Sequence, residues 1–412
     1  MGPTHHAPHG TTRGAPSSAR LRLWLSLIVL VAISAQTGCR AQQTWPLWEQ
    51  YAQRFVDGQG RVIDRTAQDR TTSEGQAYAM FFALVANDHA RFASLLNWTQ
   101  DNLAGGDLTL HLPAWSWGKS SDGSWRILDP NPATDADLWM AYSLLEAGRL
   151  WHEPRFDKLG RLMAARIARE EVVLIPGLGT TLLPGPHGFH PMERIWLLNP
   201  SYLPPSILVR FSKATPQGPW SEVLASLGAL LASGSGHAAA APDAGGFAMD
   251  WVAAGEGGTH PSATPAQLLA GTKDAVPIGS YDAIRVYLWL GIADPGTPGL
   301  RDLLGSVSGM AALLKANPAP PRIVDATGSV VDANGTIGFS AALVPYLDAL
   351  RMKSKAAEQL DRLTATRDPA TGLYGREAAY YDQNLALFAT GWAEQRYRFD
   401  RDGRLKVKWK SN

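Results

Sequence analysis

Apolar residues recur every three to four positions along almost the whole chain after Trp45. The clearest run follows Asp137, where Leu138, Met140, Ala141, Leu144, Leu145, Ala147 and Leu150 keep this spacing as far as Trp151. The same period predicts helices over Trp45–Phe55, Gln76–Asn87, Ala90–Leu103, Ala136–Trp151, Phe156–Glu171, Pro204–Phe211, Trp220–Ala232 and Asp282–Leu290. It continues over Leu300–Lys315, Ala341–Leu350, Ser354–Thr364 and Gln383–Glu394. About a dozen helices alternating with loops place the chain in the all-α class, with neighbouring helices paired antiparallel.

Two long stretches break the period. Gly105–Asp129 and Val172–Asn199 are non-helical with strand-like pieces, and they carry Trp115, Trp117, Trp125 and Trp196. Loops of that length usually serve function rather than mere connection. Ser233–Gly246, rich in Gly, Ser and Ala, reads as a surface loop. No short tandem repeat stands out.

The N-terminus has a different pattern. Met1–Ala19 is rich in Gly, Pro, His, Ser and Thr and reads as a disordered extension. Arg20 and Arg22, the apolar run Leu23–Ala35 and the small residues around Gly38 follow the layout of a secretory signal peptide; the run is too short for a comfortable membrane span. The expected division is therefore residues 1–41 as extension and signal peptide, and 42–412 as one domain. Cys39 is the only cysteine, so no intramolecular disulfide forms. Thr37-Gly38-Cys39 supports two readings: lipid attachment at Cys39, or removal of Cys39 by cleavage after Ala41. Either way the expected location is periplasmic or secreted, with outer-membrane anchoring as the lipidated case.

At 412 residues and 45% hydrophobic composition the chain can bury a large core. Its 38 basic and 37 acidic residues leave no excess of positive charge for a polyanion, which argues against a nucleic-acid partner. The 15 Trp and 11 Tyr supply flat apolar faces suited to sugar rings as well as to cores. No His-Glu-x-x-His, phosphate loop or paired cysteine is present. His187 and His190 stand without further ligands nearby in sequence and read as a loop pair, so no metal and no cofactor is expected.

Three predicted helices open on an acid beside a hydroxyl residue. These are Thr72-Ser73-Glu74-Gly75, Thr134-Asp135-Ala136-Asp137 and Ser280-Tyr281-Asp282-Ala283. Helix capping accounts for part of this, because Asp at a helix start satisfies free N–H groups and suits the dipole. One of Asp135 and Asp137 can cap while the other stays free for chemistry. Asp282 and Arg285, three apart on one helix face, could simply pair with each other.

The run Ala133-Thr134-Asp135-Ala136-Asp137-Leu138-Trp139-Met140-Ala141, on to Trp151, resembles the signature of glycoside hydrolase family 8. Ser73-Glu74-Gly75 and Ser280-Tyr281-Asp282-Ala283 are similar to the family's other active-site motifs. Further ordered blocks, among them Trp45–Glu49, Leu112–Trp115, Asn199–Pro205 and Gly338–Ala342, extend the likeness over nearly the whole chain after Trp45. Within the family it is greatest for periplasmic endoglucanases that accompany bacterial cellulose synthases.

The resemblance implies an (α/α)6 barrel whose long loops form a substrate cleft. It implies hydrolysis of a β-1,4-glucan polysaccharide with inversion, alongside a cellulose synthase and export complex. Carried onto the matching positions, Glu74 would be the general acid, Asp282 the base that activates water, and Asp135 the acid that binds and distorts the sugar. Tyr281, Arg285, Trp115 and Tyr202 are the expected sugar-binding residues, with Trp117, Trp196 and Trp251 as further stacking candidates. Trp139, inside a helix, is expected in the core, and Asp137 at a helix start or behind a catalytic group. Chitosan or xylan specificity, or a non-catalytic glucan-binding role, are the rival readings; a pure binder would not need all three acids.

Overall fold

The computed structural model describes residue 10 and residues 44–236, 245–272 and 275–410. The second of two compact units, Trp45–Asn412, holds the described helices; the segment read from sequence as a signal peptide, with Cys39, lies outside the described residues. Helices run in chain order as α1 (Pro46–Phe55), α2 (Ser73–Val85), α3 (His89–Leu103), α4 (Thr134–Trp151) and α5 (Pro154–Glu170). They continue as α6 (Pro205–Ala214), α7 (Trp220–Gly234), the short α8 (Pro265–Leu269), α9 (Ala283–Ile292), α10 (Leu300–Ser306) and α11 (Gly309–Ala316). Last come α12 (Ile337–Ala349), α13 (Lys353–Thr364) and α14 (Tyr380–Ala393).

Composition sorts these helices into two layers. In α2 every residue but Glu74 is buried, in α9 every residue is, and α4, α12 and α14 are nearly as enclosed. A helix apolar all round has no face for water and belongs inside. By contrast α5 buries only Phe156, Gly160, Met163, Ala164 and Ile167, and α13 only Ala356, Gln359 and Leu363. Inner and outer helices alternate along the chain: α2, α4, α6, α9, α12 and α14 inside, with α3, α5, α7, the α10–α11 pair, α13 and α1 outside. That is the expected (α/α)6 barrel. Its axis is filled by aromatic rings from four inner helices, with Phe81–Phe388 centroids 5.4 Å apart, Trp139–Phe388 4.9 Å and Trp139–Trp289 5.0 Å. Trp139 is thus core, as its helical position predicted. Close approach of α5 to α4 needs Gly160, where a Cβ would come within 2.8 Å of the Leu145 backbone.

Most predicted helix ends shift by only a few residues, but Leu300–Lys315 is two helices rather than one. The break falls where neighbours use the backbone: the Val307 carbonyl accepts from the Tyr346 hydroxyl, and the Gly309 N–H donates to Gly246 O at 3.0 Å. Of the predicted loop Ser233–Gly246, α7 takes the first residues, and 237–244 lie outside the described residues.

The long non-helical stretches fold as small antiparallel sheets. β1 (Thr71–Thr72), β2 (Ala114–Lys119) and β3 (Trp125–Pro132) pair in that order, with Thr72 opposite Ser116. β4 (Val172–Ile175) and β5 (Gly179–Leu182) form a hairpin. β6 (Ile195–Leu198) pairs with β7 (Trp251–Gly255), and β7 with β8 (Gly258–Ser262). β9 (Ile278–Gly279) pairs with β10 (Ile323–Asp325), which pairs with β11 (Val330–Asp332). Trp115 therefore sits on a strand, not in a loop as its sequence context suggested. At the far end of the barrel, β12 (Tyr397–Phe399) and β13 (Leu405–Val407) form a hairpin tied to α4 by Glu146, which accepts from the Leu405 N–H at 2.8 Å.

Candidate active site

Glu74, Asp135 and Asp282 open α2, α4 and α9, so the fold brings the N-terminal ends of three inner helices together. None of the three acts as a side-chain N-cap of its own helix. On α2 the cap is Thr72, whose hydroxyl accepts from the Gly75 N–H at 3.1 Å and leaves Glu74 free. The capping role predicted for Asp135 or Asp137 is not seen: the N-cap of α4 is Ala133, without a side-chain cap. Asp135 instead accepts from its neighbour's N–H, that of Ala136, at 2.8 Å.

All three acids meet on Arg285. Its Nη1 donates to Glu74 and, at 2.7 Å, to Asp135 Oδ2; Nη2 donates to Asp282 Oδ1 at 2.7 Å. The predicted Asp282–Arg285 pair exists, but it is no surface ion pair. Arg285 is 2% exposed, so the guanidinium works in a poorly solvated place where one cation must serve three carboxyls. Tyr78, one helical turn after Glu74, adds a hydroxyl 3.3 Å from Nη1, and the guanidinium carbon lies 5.5 Å from the Tyr202 ring centroid.

Three carboxyls around one cation cannot all ionise cheaply. Burial is the largest influence on Glu74; the Arg285 charge opposes it, and Asp135 and Asp282 reinforce it, so the carboxyl is pushed up to about 8. Asp135 is also raised, chiefly by burial, against the pull of Arg285 and the Ala136 N–H. At neutral pH the group is therefore arranged to keep a proton on Glu74, the state that a general acid requires.

Gly75, next to the acid, has a steric role: a Cβ there would fall 1.9 Å from the Tyr380 hydroxyl. Among the predicted sugar-binding residues, Arg285 and Tyr202 lie in the cluster. Tyr281 stands at its rim, 43% exposed, with its ring edge-on to Phe339 at 5.2 Å and Tyr381 at 5.6 Å. Trp115 is half-buried on β2, one residue from Ser116, which pairs with Thr72.

The other aromatic candidates have protein partners. Trp117 packs on Trp98 and Trp125, with the Arg61 guanidinium 4.4 Å from its centroid. Trp196 stacks on His190 at 4.5 Å and Trp251 on Phe189 at 5.9 Å, so His190 serves a ring contact. Among the described residues no three His, Cys, Asp or Glu side chains gather as a metal site.

Sequence reasoning missed three residues. Tyr78 was detectable, because it stands four positions after Glu74 on the same helix face. Tyr381, whose hydroxyl donates to the Tyr281 carbonyl at 2.5 Å, and Asp250, which holds the start of α9, come from distant segments with no local signal. Asp137, read as a helix-start or supporting residue, is wholly buried against Glu171, and burial raises both carboxyls, Glu171 to about 8.

The sequence pattern of the glycosyl hydrolases family 8 matches residues 19–395. The chain is 44% identical to the endoglucanase of Xanthomonas axonopodis pv. citri (strain 306) over 387 residues, 94% of each chain. It is 44% identical to the endoglucanase of Salmonella typhi over 392 residues, 94% of this chain and 97% of that one. The crystal structure of an endo-1,4-D-glucanase from Vibrio fischeri ES114 superposes with a TM-score of 0.78 at 39% identity, covering 89% of this chain and all of that one (100%). With the helical barrel, the acids at its helix mouths and these likenesses agreeing, the chain belongs to glycosyl hydrolase family 8.

Proposed function

We propose that this chain is an endo-β-1,4-glucanase that cleaves cellulose-like chains with inversion at the anomeric carbon. The observation that carries the reading is the convergence of Glu74, Asp135 and Asp282 on one buried guanidinium, with Glu74 held protonated at neutral pH. The relatives named as endoglucanases support the substrate class.

In this reading Glu74 gives its proton to the glycosidic oxygen as the bond to the anomeric carbon breaks. Asp282, partly exposed, takes a proton from a water whose oxygen attacks the same carbon from the opposite face. The products are a chain end with a free hydroxyl and an inverted reducing end, and the proton gained by Asp282 returns to Glu74 through solvent. Asp135, almost out of water and fixed by Arg285, binds and distorts the sugar at the cleavage point. Tyr202, Tyr281 and Trp115 provide surfaces for neighbouring sugar units.

Two further elements of the proposal rest on sequence alone. The Arg20–Cys39 segment directs the chain to the periplasm or beyond, with lipid at Cys39 as the anchored variant. There it trims or releases glucan made by a cellulose synthase and export complex.

The test has two arms. Reducing-end release is compared on carboxymethylcellulose, chitosan, xylan and mixed-linkage glucan; preference for chitosan or xylan would overturn the substrate assignment. Proton NMR of cello-oligosaccharide hydrolysis, read before mutarotation, should show the α-anomer first. An initial β-anomer would replace Asp282 as base with a covalent route, in which Asp135 is the candidate nucleophile.

A further inference from the structure

Asp282 occupies the N-cap position of α9, yet its side chain makes no capping hydrogen bond. The Ile284 and Arg285 N–H groups are met locally by the Ser280 and Asp282 carbonyls, whereas the Ala283 N–H is met from a distant segment. Asp250 lies in the segment that leads into β7 and is 6% exposed. Its Oδ1 accepts from the Ser280 N–H at 2.7 Å and from the Ala283 N–H at 2.8 Å, and its Oδ2 accepts from the Ser280 hydroxyl. The two backbone bonds bracket Tyr281 and Asp282.

The segment carrying Asp250 is itself fixed at two points. The Asp250 N–H donates to the Ile278 carbonyl at 2.8 Å, just before the turn that presents Asp282. The Ala248 N–H donates to the Tyr287 hydroxyl at 3.0 Å, and Tyr287 lies inside α9. Both sides of the Ser280–Ala283 turn are therefore tied to one buried strap.

An Asp at an N-cap normally turns its carboxylate back onto its own helix. We infer that Asp250 is a positioning residue for the reaction: by holding the Ser280 and Ala283 N–H groups on either side of Asp282, it fixes the turn that aims the Asp282 carboxylate at Arg285 and the attacking water. The inference rests on the reading of Asp282 as the base. Its energetic logic is that a carboxylate misplaced by about 1 Å can lose a hundredfold in rate without any loss of sugar binding.

The test compares four variants on a soluble cello-oligosaccharide, with circular dichroism and thermal melting to establish folding. Asp282→Ala tests the underlying reading: it should abolish turnover, and near-normal activity there would remove the base assignment itself. Asp250→Ala should lower kcat by about tenfold to a hundredfold while KM stays within about threefold. Asp250→Asn keeps an oxygen for both N–H groups but loses the charge and the acceptor for the Ser280 hydroxyl, so it should recover most of the rate, leaving kcat about two- to fivefold below the parent. Ser280→Ala removes that same bond and should match Asp250→Asn.

An inactive Asp282→Ala beside a folded Asp250→Ala with normal kcat would overturn the inference and leave the base assignment standing. A fall in melting temperature with kcat unchanged would also overturn it, because that is the signature of a purely structural strap. If Asp250→Ala does not fold, Asp250→Asn and Ser280→Ala decide: about two- to fivefold lower kcat at constant KM supports positioning, and parent-like kcat in both overturns it.

Discussion

Replacing Asp135 by Asn tests whether the charge beside Glu74 sets the pH range of the enzyme. Both carboxyls bond to the same Arg285 nitrogen, Asp135 at 2.7 Å and Glu74 in even closer contact, so the two oxygens lie within about 5 Å of each other. At an effective dielectric of about 20, a unit charge at that distance is worth about 3 kcal/mol, or about two pKa units. The amide keeps an oxygen for Arg285 but removes the negative charge. Glu74, pushed up to about 8 in the parent, should then titrate about one to two units lower.

The sign follows from the role. A general acid works while protonated, so activity is lost as pH rises through its pKa, and lowering that pKa moves the alkaline limb to lower pH. The assay is kcat/KM for reducing-end release from carboxymethylcellulose between pH 5 and 10, which reports groups of the free enzyme. Turnover will fall as well, because Asp135 handles the sugar; the position of the limb does not depend on that amplitude. An alkaline limb that stays put, or moves upward, in a folded Asp135→Asn variant would refute the electrostatic reasoning. Glu74 would then not be the acid whose ionisation closes the profile.

Three other outcomes follow from the same structure. Glu74→Gln should leave folding and glucan binding intact and cut turnover by at least about a hundredfold, as kinetics and calorimetric binding of cello-oligosaccharide would show. Glu171, raised to about 8 by burial, holds in the folded chain a proton that the unfolded chain releases near 4.5, so its contribution makes stability fall as pH rises through that window. Glu171→Gln should therefore flatten the loss of stability between pH 5 and 8 by about 2 kcal/mol, within an upper limit of about 5, in denaturant titrations at both pH values; an unchanged slope would count against it. Glu146 is wholly buried and accepts from Arg210 Nε at 2.6 Å and from the Leu405 N–H, so Glu146→Ala strands a buried cation and should cost about 3–5 kcal/mol in denaturant titration.

The sequence by itself determined the helices and the location of the acids within them. Apolar period and turn chemistry act over a few residues, so α2, α4 and α9 could be read from their own stretches, as could the acids at their mouths. A long patterned motif with ordered blocks carried the family, and with it the barrel closure that no period contains. Even Tyr78 was within reach of a local rule.

Tertiary structure decided what those acids are. Arg285 reads from sequence as a sugar-binding residue or the partner of Asp282, and only the meeting of α2, α4 and α9 makes it the shared cation of three carboxyls. Whether Asp135 caps its helix, and whether Asp137 lies free or sealed against Glu171, depends on neighbours tens of residues away in the chain. The same holds for the split of Leu300–Lys315 at Val307, the strand under Trp115 and the strap from Asp250. Helix period and capping arise from contacts within a turn or two, whereas burial, shared charge and the proton held by Glu74 arise from groups that only folding brings into the same low-dielectric space.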